Sequence, residues 1–335
     1  MATDGVVPGD GVVPGDGLAP GDGRRAGAGA GGGVIHDIGY QTYDGPRFGR
    51  GKIALALCWH SLRSAFGIGR GPKAKIVPVL TFAIMCSPAV INAVIMALGR
   101  SHTRVVNYDT YVGTLRVLVL LLFMAAQAPE LVARDLRSRV LPLYFARPIR
   151  RYDYPAAKYG AFVLACLAMI DIPVLLLYVG TIFQVHGGAA IWAQTRAVIP
   201  GLLIGLMWAV VLAAVGLALA CVSGRRAFSG GSVAIFLFMT WTLTTVLNHI
   251  AETSGLRGHG GPLGGAPQVT GATHLFGLIS PFTVVDGVRQ WLGGTSPGII
   301  ANPGSYGIAY GLMLLVFLGV SLAALVARYS SVSVA

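Results

Sequence analysis

Charged residues are scarce in this chain of 335 residues, and that scarcity limits the classes of protein to which it can belong. Only 11% of the residues are Asp, Glu, Lys or Arg, whereas a typical soluble domain has about 25%. Hydrophobic residues make up 54% of the sequence, and the mean hydropathy is +0.69. A chain this apolar needs continuous burial, which lipid supplies, so the composition predicts a membrane protein.

The sequence also lacks the motifs of catalytic and metal sites. The seven histidines are scattered without an HExxH motif, and no GxSxG motif occurs. The nearest approach to a phosphate-binding loop is GPRFGRGKI at 45–53, but Pro46 and Ile53 stand where that motif requires Gly and Ser or Thr. We therefore expect no enzymatic activity and no cofactor or metal bound by this chain.

Cysteine is rare, and its spacing indicates neither a disulfide framework nor a metal site. No CxxC motif and no close Cys/His cluster occurs, and each cysteine lies within or beside an apolar run. We expect small buried thiols at these positions. The four cysteines are Cys58, Cys86, Cys166 and Cys221.

The N-terminal segment is low in complexity. GVVPGD occurs twice in succession at 5–16, GLAPGD follows at 17–22, and GRRAGAGAGGG comes next. A segment so rich in Gly, Pro and Asp buries too little apolar surface to fold. We expect residues 1–45 to form a disordered cytoplasmic tail and residues 50–330 to form a transmembrane domain.

Six long apolar runs dominate the rest of the chain. Each is close to the roughly 20 residues that a helix needs to cross a bilayer. Backbone polar groups in lipid must be hydrogen-bonded within their own segment, so each run is predicted to be helical. The sequence thus predicts an all-α, polytopic integral membrane protein with six transmembrane helices. The runs are 76–98, 112–133, 159–180, 198–222, 228–250 and 307–327.

The basic residues are distributed unevenly between the two sides of these runs. With the N-terminus inside, the inner segments carry nineteen Lys and Arg residues and the outer segments carry five, while Arg116 lies within a run. We expect the protein in the plasma membrane. By the positive-inside rule, both of its termini are then expected in the cytoplasm. The net charge of +12 then reflects membrane topology, and we expect no nucleic-acid partner.

Two further apolar segments are predicted to form helices that do not cross the membrane. Residues 51–71 mix apolar and basic residues, as in a helix lying in the inner membrane interface; a plain cytoplasmic helix is the alternative. Residues 272–292 are interrupted, and Ser280-Pro281 predicts a helix start. We interpret them as two short re-entrant helices before the last span, with a seventh span as the alternative. The second helix is predicted to present Phe282, Val285, Val288 and Leu292 on one face and Asp286, Arg289 and Gln290 on another.

One carboxylate lies near the middle of the third run. Placing Asp171 there costs about 2.5–3.5 kcal/mol on insertion scales, which marks it as a functional candidate. Arg116 on the second run is a possible ion-pair partner, because the predicted depths differ by roughly 6 Å. The alternative is that Arg116 extends to the outer surface while Asp171 is protonated or hydrogen-bonded.

The fourth run carries small residues at four-residue spacing, which allows close helix packing. That packing could lie within one chain or between two. The residues are Gly201, Gly205, Ala209 and Ala213, and Gly307 and Gly311 open the sixth run.

The segment LPLYFARPIRRYDYPAAK at 141–158 follows the second run and is basic, aromatic and rich in proline. A role in topology alone would need only the basic residues. The apolar and aromatic side chains favour docking into a groove of another protein, with the cations steering the approach.

Together these features resemble the permease subunit of a type-2 ABC transporter. The resemblance covers about residues 50–330 and includes the interfacial helix, the Glu130…Arg134-Asp135 foot of span two and the short helices before the last span. In the loop, it includes the leucine-rich turn, Arg147-Pro148 and Lys158. The N-terminal repeat lies outside the family pattern.

The resemblance implies that the loop is a coupling helix inserted into a separately encoded ABC ATP-binding subunit, which holds ATP and Mg²⁺. It also implies a second permease chain, identical or homologous, and export of a substrate. The apolar path favours a hydrophobic or amphipathic cargo. The residues implied to couple ATPase motion to the membrane domain are Glu130, Arg134, Asp135, Leu141, Leu143, Tyr144, Phe145 and Arg147.

Polar and aromatic residues within spans two and five are candidates to line the substrate path. The alternative is ordinary hydrogen bonding between helices. These residues are Gln127, Thr240, Trp241, Thr242, Thr244, Thr245 and Asn248.

Two other functions stay open at this point. An ATP-independent secondary transporter or channel would have internal repeats or unwound helices that carry charge. Asp171 with Pro173 is the one sequence feature that suggests such a helix. A membrane anchor or sensor that binds a cytoplasmic partner is the other alternative.

Overall fold

A computed structural model describes residues 45, 49–99, 106–137, 150, 152–222, 225–258, 275–293, 299 and 302–330, without the side chains of 114–116 and 251–258. The described part of the chain contains eight α-helices and one short 3₁₀ helix, and no strand. The α-helices are α1 (Arg50–Ala65), α2 (Lys73–Ala97), α3 (Thr114–Arg137), α4 (Asp153–Ile182), α5 (Gly188–Ala220), α6 (Arg226–Gly258), α7 (Pro281–Trp291) and α8 (Gly307–Ser330), and the 3₁₀ helix is Gly304–Tyr306.

Six of these helices, α2 to α6 and α8, are long and apolar enough to cross a membrane. Each one overlaps a predicted run, so the prediction of an all-α polytopic membrane protein is confirmed. The largest difference is in α5, which begins at Gly188 rather than at 198. The additional turns have the sequence GAAIWAQTRA, whose alanines favour a helix. Gln194 and Arg196 make this segment more polar than a spanning run, so hydropathy alone did not include it in the prediction.

Helices α4 and α5 form the centre of the bundle and pack along one another, with α3, α6 and α8 around them. The four small residues of α5 at 201, 205, 209 and 213 are all buried. A side chain at Gly201 would meet Tyr108, and one at Gly205 would overlap the carboxylate of Asp171. The small-residue face therefore packs within the chain.

Large apolar side chains cover the outer surfaces of α2, α6 and α8. Such exposed rows are expected where helices contact lipid, because apolar side chains gain nothing from burial in the protein interior relative to lipid tails. Exposed examples are Ile76 and Val79 on α2, Ile235 and Met239 on α6, and Leu312 and Leu315 on α8.

The first helix packs against the bundle through one narrow face. In α1 the buried residues are Leu57, Ser61 and Ala65, spaced four apart, and the helix contacts α3 and α4. It ends at Ala65, before the predicted 71, because the chain turns at Gly67 with a φ of +71°. A Cβ at Gly67 would lie 2.7 Å from the carbonyl oxygen of Ala74, so the turn requires glycine.

Helix α7 begins at Pro281 with Ser280 as its N-cap, which confirms the predicted helix start. Of the short helix expected before it, only a helical turn at 275–276 lies among the described residues. Residues 281–290 are all buried, because α7 packs against α5, α6 and α8, so the predicted apolar and polar faces of the helix are both covered. Leu292, placed on the apolar face, is instead 71% exposed beyond the end of the helix.

The predicted disordered tail at 1–45 lies outside the described residues except for Gly45. The prediction for that segment stays a prediction.

Candidate functional site

Three of the coupling residues named by the sequence, Glu130, Arg134 and Asp135, lie at one end of the bundle, here called the basic end. At this end α3, α5 and α8 finish, and α2, α4 and α6 begin. Three acidic side chains lie here, Glu130, Asp135 and Asp153, and each is paired with a cation from another part of the chain.

Glu130 on α3 is contacted by two arginines from different elements. Nη1 of Arg70, in the connection between α1 and α2, donates a hydrogen bond to Oε2. Nη1 of Arg226, at the start of α6, lies 2.7 Å from Oε1. This second contact is ionic without hydrogen-bond geometry, since Oε1 accepts no hydrogen bond among the described residues. Glu130 therefore joins α3 to the α1–α2 connection and to α6.

Asp135, five residues further along α3, joins that helix to α4 and, through α4, to α8. Nζ of Lys158 lies 2.7 Å from Oδ2 of Asp135, and the hydroxyl of Tyr154 donates a hydrogen bond to the same oxygen. The ring of Tyr154 lies against the ring of Tyr329 on α8, with centroids 5.2 Å apart. The lysine and Tyr154 are both buried, so these contacts are shielded from water.

Asp153 joins the first residue of α1 to the first turn of α4. Nη2 of Arg50 donates a hydrogen bond of 2.6 Å to Oδ1 of Asp153, and the guanidinium lies 5.1 Å from the centroid of the Tyr152 ring. Hydrogen bonding to Asp153 raises the pKa of Arg50. Hydrogen bonds from Arg150 and Arg50 lower the pKa of Tyr152. A carboxylate in the first turn also complements the positive end of the α4 dipole.

The coupling residues implied by the resemblance fall into two groups. Glu130 and Asp135 lie in the ion pairs just described, and Arg134 between them is exposed. The remaining members, Leu141, Leu143, Tyr144, Phe145 and Arg147, lie outside the described residues.

A pocket of about 720 Å³ opens beside Glu130, between the beginnings of α2 and α6 and the end of α3. We call it the basic pocket, because five of its lining side chains are cationic. A second cavity of about 1230 Å³, here called the apolar groove, lies between α3 and α6 and shares Pro129, Arg137 and Arg226 with it. The charged residues lining the basic pocket are Arg70, Lys73, Glu130, Arg134, Arg137 and Arg226.

Asp171 lies in the middle of α4 and faces Gly205 on α5. Its Oδ1 is buried and has no hydrogen-bond partner among the described residues. The side chain of Arg116 lies outside them, so the predicted ion pair between the two stays a prediction.

The residues predicted to line a substrate path divide by their hydrogen bonds. The hydroxyls of Thr240 and Thr244 donate to carbonyl oxygens one turn earlier in α6, at 2.8 and 2.9 Å, as ordinary helical threonines do. Gln127, Trp241 and Asn248 instead each keep a buried polar atom without a partner in the described part of the chain. Thr242 shares that feature, whereas Thr245 bonds within its helix.

Sequence reasoning missed a buried charge cluster at the opposite end of the bundle. Nε of Arg289 donates to Oδ1 of Asp286 at 2.9 Å, and Nη1 donates to Oδ2 of Asp109 at 3.1 Å. The other oxygen of Asp286 accepts hydrogen bonds from the Gln290 side chain and from the Ile299 backbone N–H. The cluster fixes α7 to the segments before α3 and α8. The three-residue spacing of 286 and 289 could have indicated one of its ion pairs.

Two smaller findings concern metals and thiols. Among the described residues, no group of three or more His, Cys, Asp or Glu side chains could hold a metal ion. All four cysteines are unpaired, and Cys166 and Cys221 are buried.

No protein-family model matches the chain, and no curated protein matches it. Its function must therefore be inferred from its own residues and their arrangement.

Proposed function

We propose that the chain is the membrane-spanning permease subunit of an ATP-driven exporter. It acts with a separate ATP-binding subunit, which holds ATP and Mg²⁺, and with a second permease chain. The observation that carries the proposal is the set of ion pairs at the end of α3, directly before residues 138–149. Glu130 and Asp135 connect this end of α3 to α6 and α4.

Through these ion pairs, movement of the proposed coupling segment can be transmitted to the helices of the membrane domain. A partner that pulls on residues 138–149 acts first on the end of α3. Because Glu130 and Asp135 are paired with Arg70, Arg226 and Lys158, the end of α3 moves with the neighbouring helices or breaks these contacts. ATP can shift the transporter between two states only if the contacts of this segment differ between them.

The proposal places the basic end in the cytoplasm, the side favoured by the distribution of Lys and Arg. The cargo is hydrophobic or amphipathic and passes between two permease chains. Gln127, Trp241 and Asn248 are the best candidates to contact it, because each has a buried polar atom without a partner in the described part of one chain.

A secondary transporter or channel that works without ATP is the second candidate. The unpartnered Oδ1 of Asp171 favours it, since a carboxylate inside a membrane is typical of ion and proton pathways. Transport by the chain alone, without any ATP-binding subunit, would support this candidate against the first.

Charge introduced into the loop tests the proposal. The chain is co-expressed with a candidate ABC ATP-binding protein, and any complex that forms is purified in detergent. We expect a variant with Leu143→Asp and Phe145→Asp to lose the ATP-binding subunit, because burying two carboxylates in the docking site on that subunit carries a high desolvation cost.

The matched control is Leu275→Asp with Leu292→Asp, which introduces the same two negative charges at exposed positions of the opposite end. It should retain the subunit in full. Equal retention by both variants would show that the ATP-binding subunit docks elsewhere or does not belong to this chain.

A further inference from the structure

The described side chains that line the basic pocket carry more positive than negative charge. Its lining includes five cationic side chains and one carboxylate, Glu130, which is already paired with Arg70 and Arg226. Lys73 and Arg137 line the same pocket, are exposed, and have no ion-pair partner among the described residues. Like charges held around one cavity repel each other, so an anion in the pocket would be strongly favoured.

The backbone adds to this positive potential. Helix α2 begins at Lys73 on the wall of the pocket, and its N-cap, Pro72, provides no side-chain hydrogen bond. Helix α6 begins at Arg226 on the same wall. The N–H groups of Ala74 and Lys75 in the first turn of α2 donate to the carbonyl oxygens of Gly71 and Pro72, so what the two helix starts add is the positive end of each helix dipole, which favours an anion.

The apolar groove continues from the basic pocket toward the middle of the bundle. Its lining includes Leu122 and Ala126 on α3 and Phe228 and Ala234 on α6. Along α3, Leu122 lies about 22 Å from Arg137 at the usual helical rise of about 1.5 Å per residue. Half of a bilayer hydrocarbon core is about 15 Å. The groove is therefore long enough to hold acyl chains of one leaflet.

We propose that the basic pocket binds the phosphate group of an anionic phospholipid, with the acyl chains lying in the apolar groove. Arginine guanidinium groups bind phosphate oxygens in pairs, and lysine adds a point charge. The pocket lies where three predicted spans begin or end, which is the depth of lipid headgroups. The apolar groove favours a lipid over free phosphate, since free phosphate leaves that groove without an occupant.

Charge reversal at the two exposed cations tests the site. The purified full-length chain is placed in nanodiscs or detergent, and binding of phosphatidylglycerol, phosphatidylcholine and inorganic phosphate is measured by native mass spectrometry and by the shift in Tm. We expect Lys73→Glu with Arg137→Glu to weaken phosphatidylglycerol binding by about tenfold or more, given about 1 kcal/mol per basic residue near an anionic surface and 1.4 kcal/mol per factor of ten.

The matched control is Arg63→Glu with Lys75→Glu, which makes the same change in net charge at exposed positions of the same end but outside the pocket. It should weaken binding by less than about threefold, since only long-range attraction is lost. Lys73→Gln with Arg137→Gln provides a milder pocket variant if charge reversal disturbs folding.

Three outcomes would overturn the proposal. Equal losses in pocket and control variants would indicate general surface charge. Equal binding of phosphatidylcholine and phosphatidylglycerol would remove the need for an anion. Displacement of the lipid by millimolar inorganic phosphate would show that the pocket takes phosphate without the acyl chains. Selective loss in the pocket variants, with phosphate failing to compete, would support the lipid site.

Discussion

The two ion pairs of Glu130 differ in burial, and the difference predicts unequal contributions to stability. The side chain of Glu130 is 7% exposed, that of Arg70 is 18% exposed and that of Arg226 is 72% exposed. Removing one partner of a buried ion pair costs about 3–5 kcal/mol, whereas an exposed pair contributes about 0.2–1 kcal/mol. We therefore expect Arg70→Ala to lower the free energy of unfolding by about 3 kcal/mol and Arg226→Ala by less than about 1 kcal/mol.

A double-mutant cycle separates the ion pair from the other contact of Arg70, which also donates a hydrogen bond to the carbonyl oxygen of Ser64. Glu130→Gln removes the charge while keeping the shape of the side chain. The coupling energy between Arg70 and Glu130 is expected to be about 1–3 kcal/mol, and that between Arg226 and Glu130 about 0–1 kcal/mol.

The assay is reversible unfolding of the purified chain in mixed detergent micelles with increasing dodecyl sulfate, followed by circular dichroism. Arg63→Ala is the control, because Arg63 is an exposed arginine of α1 with no ion pair in the described part of the chain. The reasoning would be refuted if the Arg226 pair had a coupling energy as large as the Arg70 pair, or if neither exceeded the change in the control.

Three further predictions follow from the described contacts. Gly205→Ala should lower Tm, because the added Cβ would overlap the carboxylate of Asp171, and adding Asp171→Ala should restore part of the loss. Gly231→Ala is the control and should leave Tm unchanged, because a Cβ at that position meets open space. Failure of Asp171→Ala to restore Tm would contradict the packing of Asp171 against Gly205. Burial raises the pKa of the Cys58 thiol, so its thiolate fraction at pH 8 is low. In a variant that keeps only this cysteine, alkylation should be slower than alkylation of glutathione and should accelerate as the pH rises. Alkylation of Cys58 at the same rate as glutathione would contradict this prediction. Arg289→Met should lower the free energy of unfolding by about 3–5 kcal/mol, because two carboxylates lose a buried cation; an unchanged unfolding curve would contradict the role of that cluster.

Local patterns in the sequence were enough to predict the main features of the fold. Apolar runs long enough to span a bilayer identified all six long helices, since length and hydropathy are local properties. Proline at the first helical position identified the start of α7 at Pro281. Four-residue spacing identified the face of α5 that packs closely, including Gly205.

Contacts between distant segments were not predictable in the same way. Arg289 and Asp109 are separated by 180 positions, and no local pattern relates them. The sequence named Glu130 and Asp135 by resemblance but could not name Arg70 or Lys158 as their partners. Many arginines lie at the basic end, and packing alone decides which of them reaches a given carboxylate.

Cross-linking from the loop tests the proposed function most directly. A photoreactive amino acid is placed at Tyr144, with a second variant carrying it at exposed Leu292 of the opposite end as the control. The purified complex is illuminated without nucleotide and with ATP under non-hydrolysing conditions. We predict that position 144 cross-links to the ATP-binding subunit, that the cross-linked site on that subunit changes with ATP, and that position 292 gives no such product. Cross-links from position 144 only to helices of its own chain, or none to any ATP-binding protein in either condition, would contradict the proposed function.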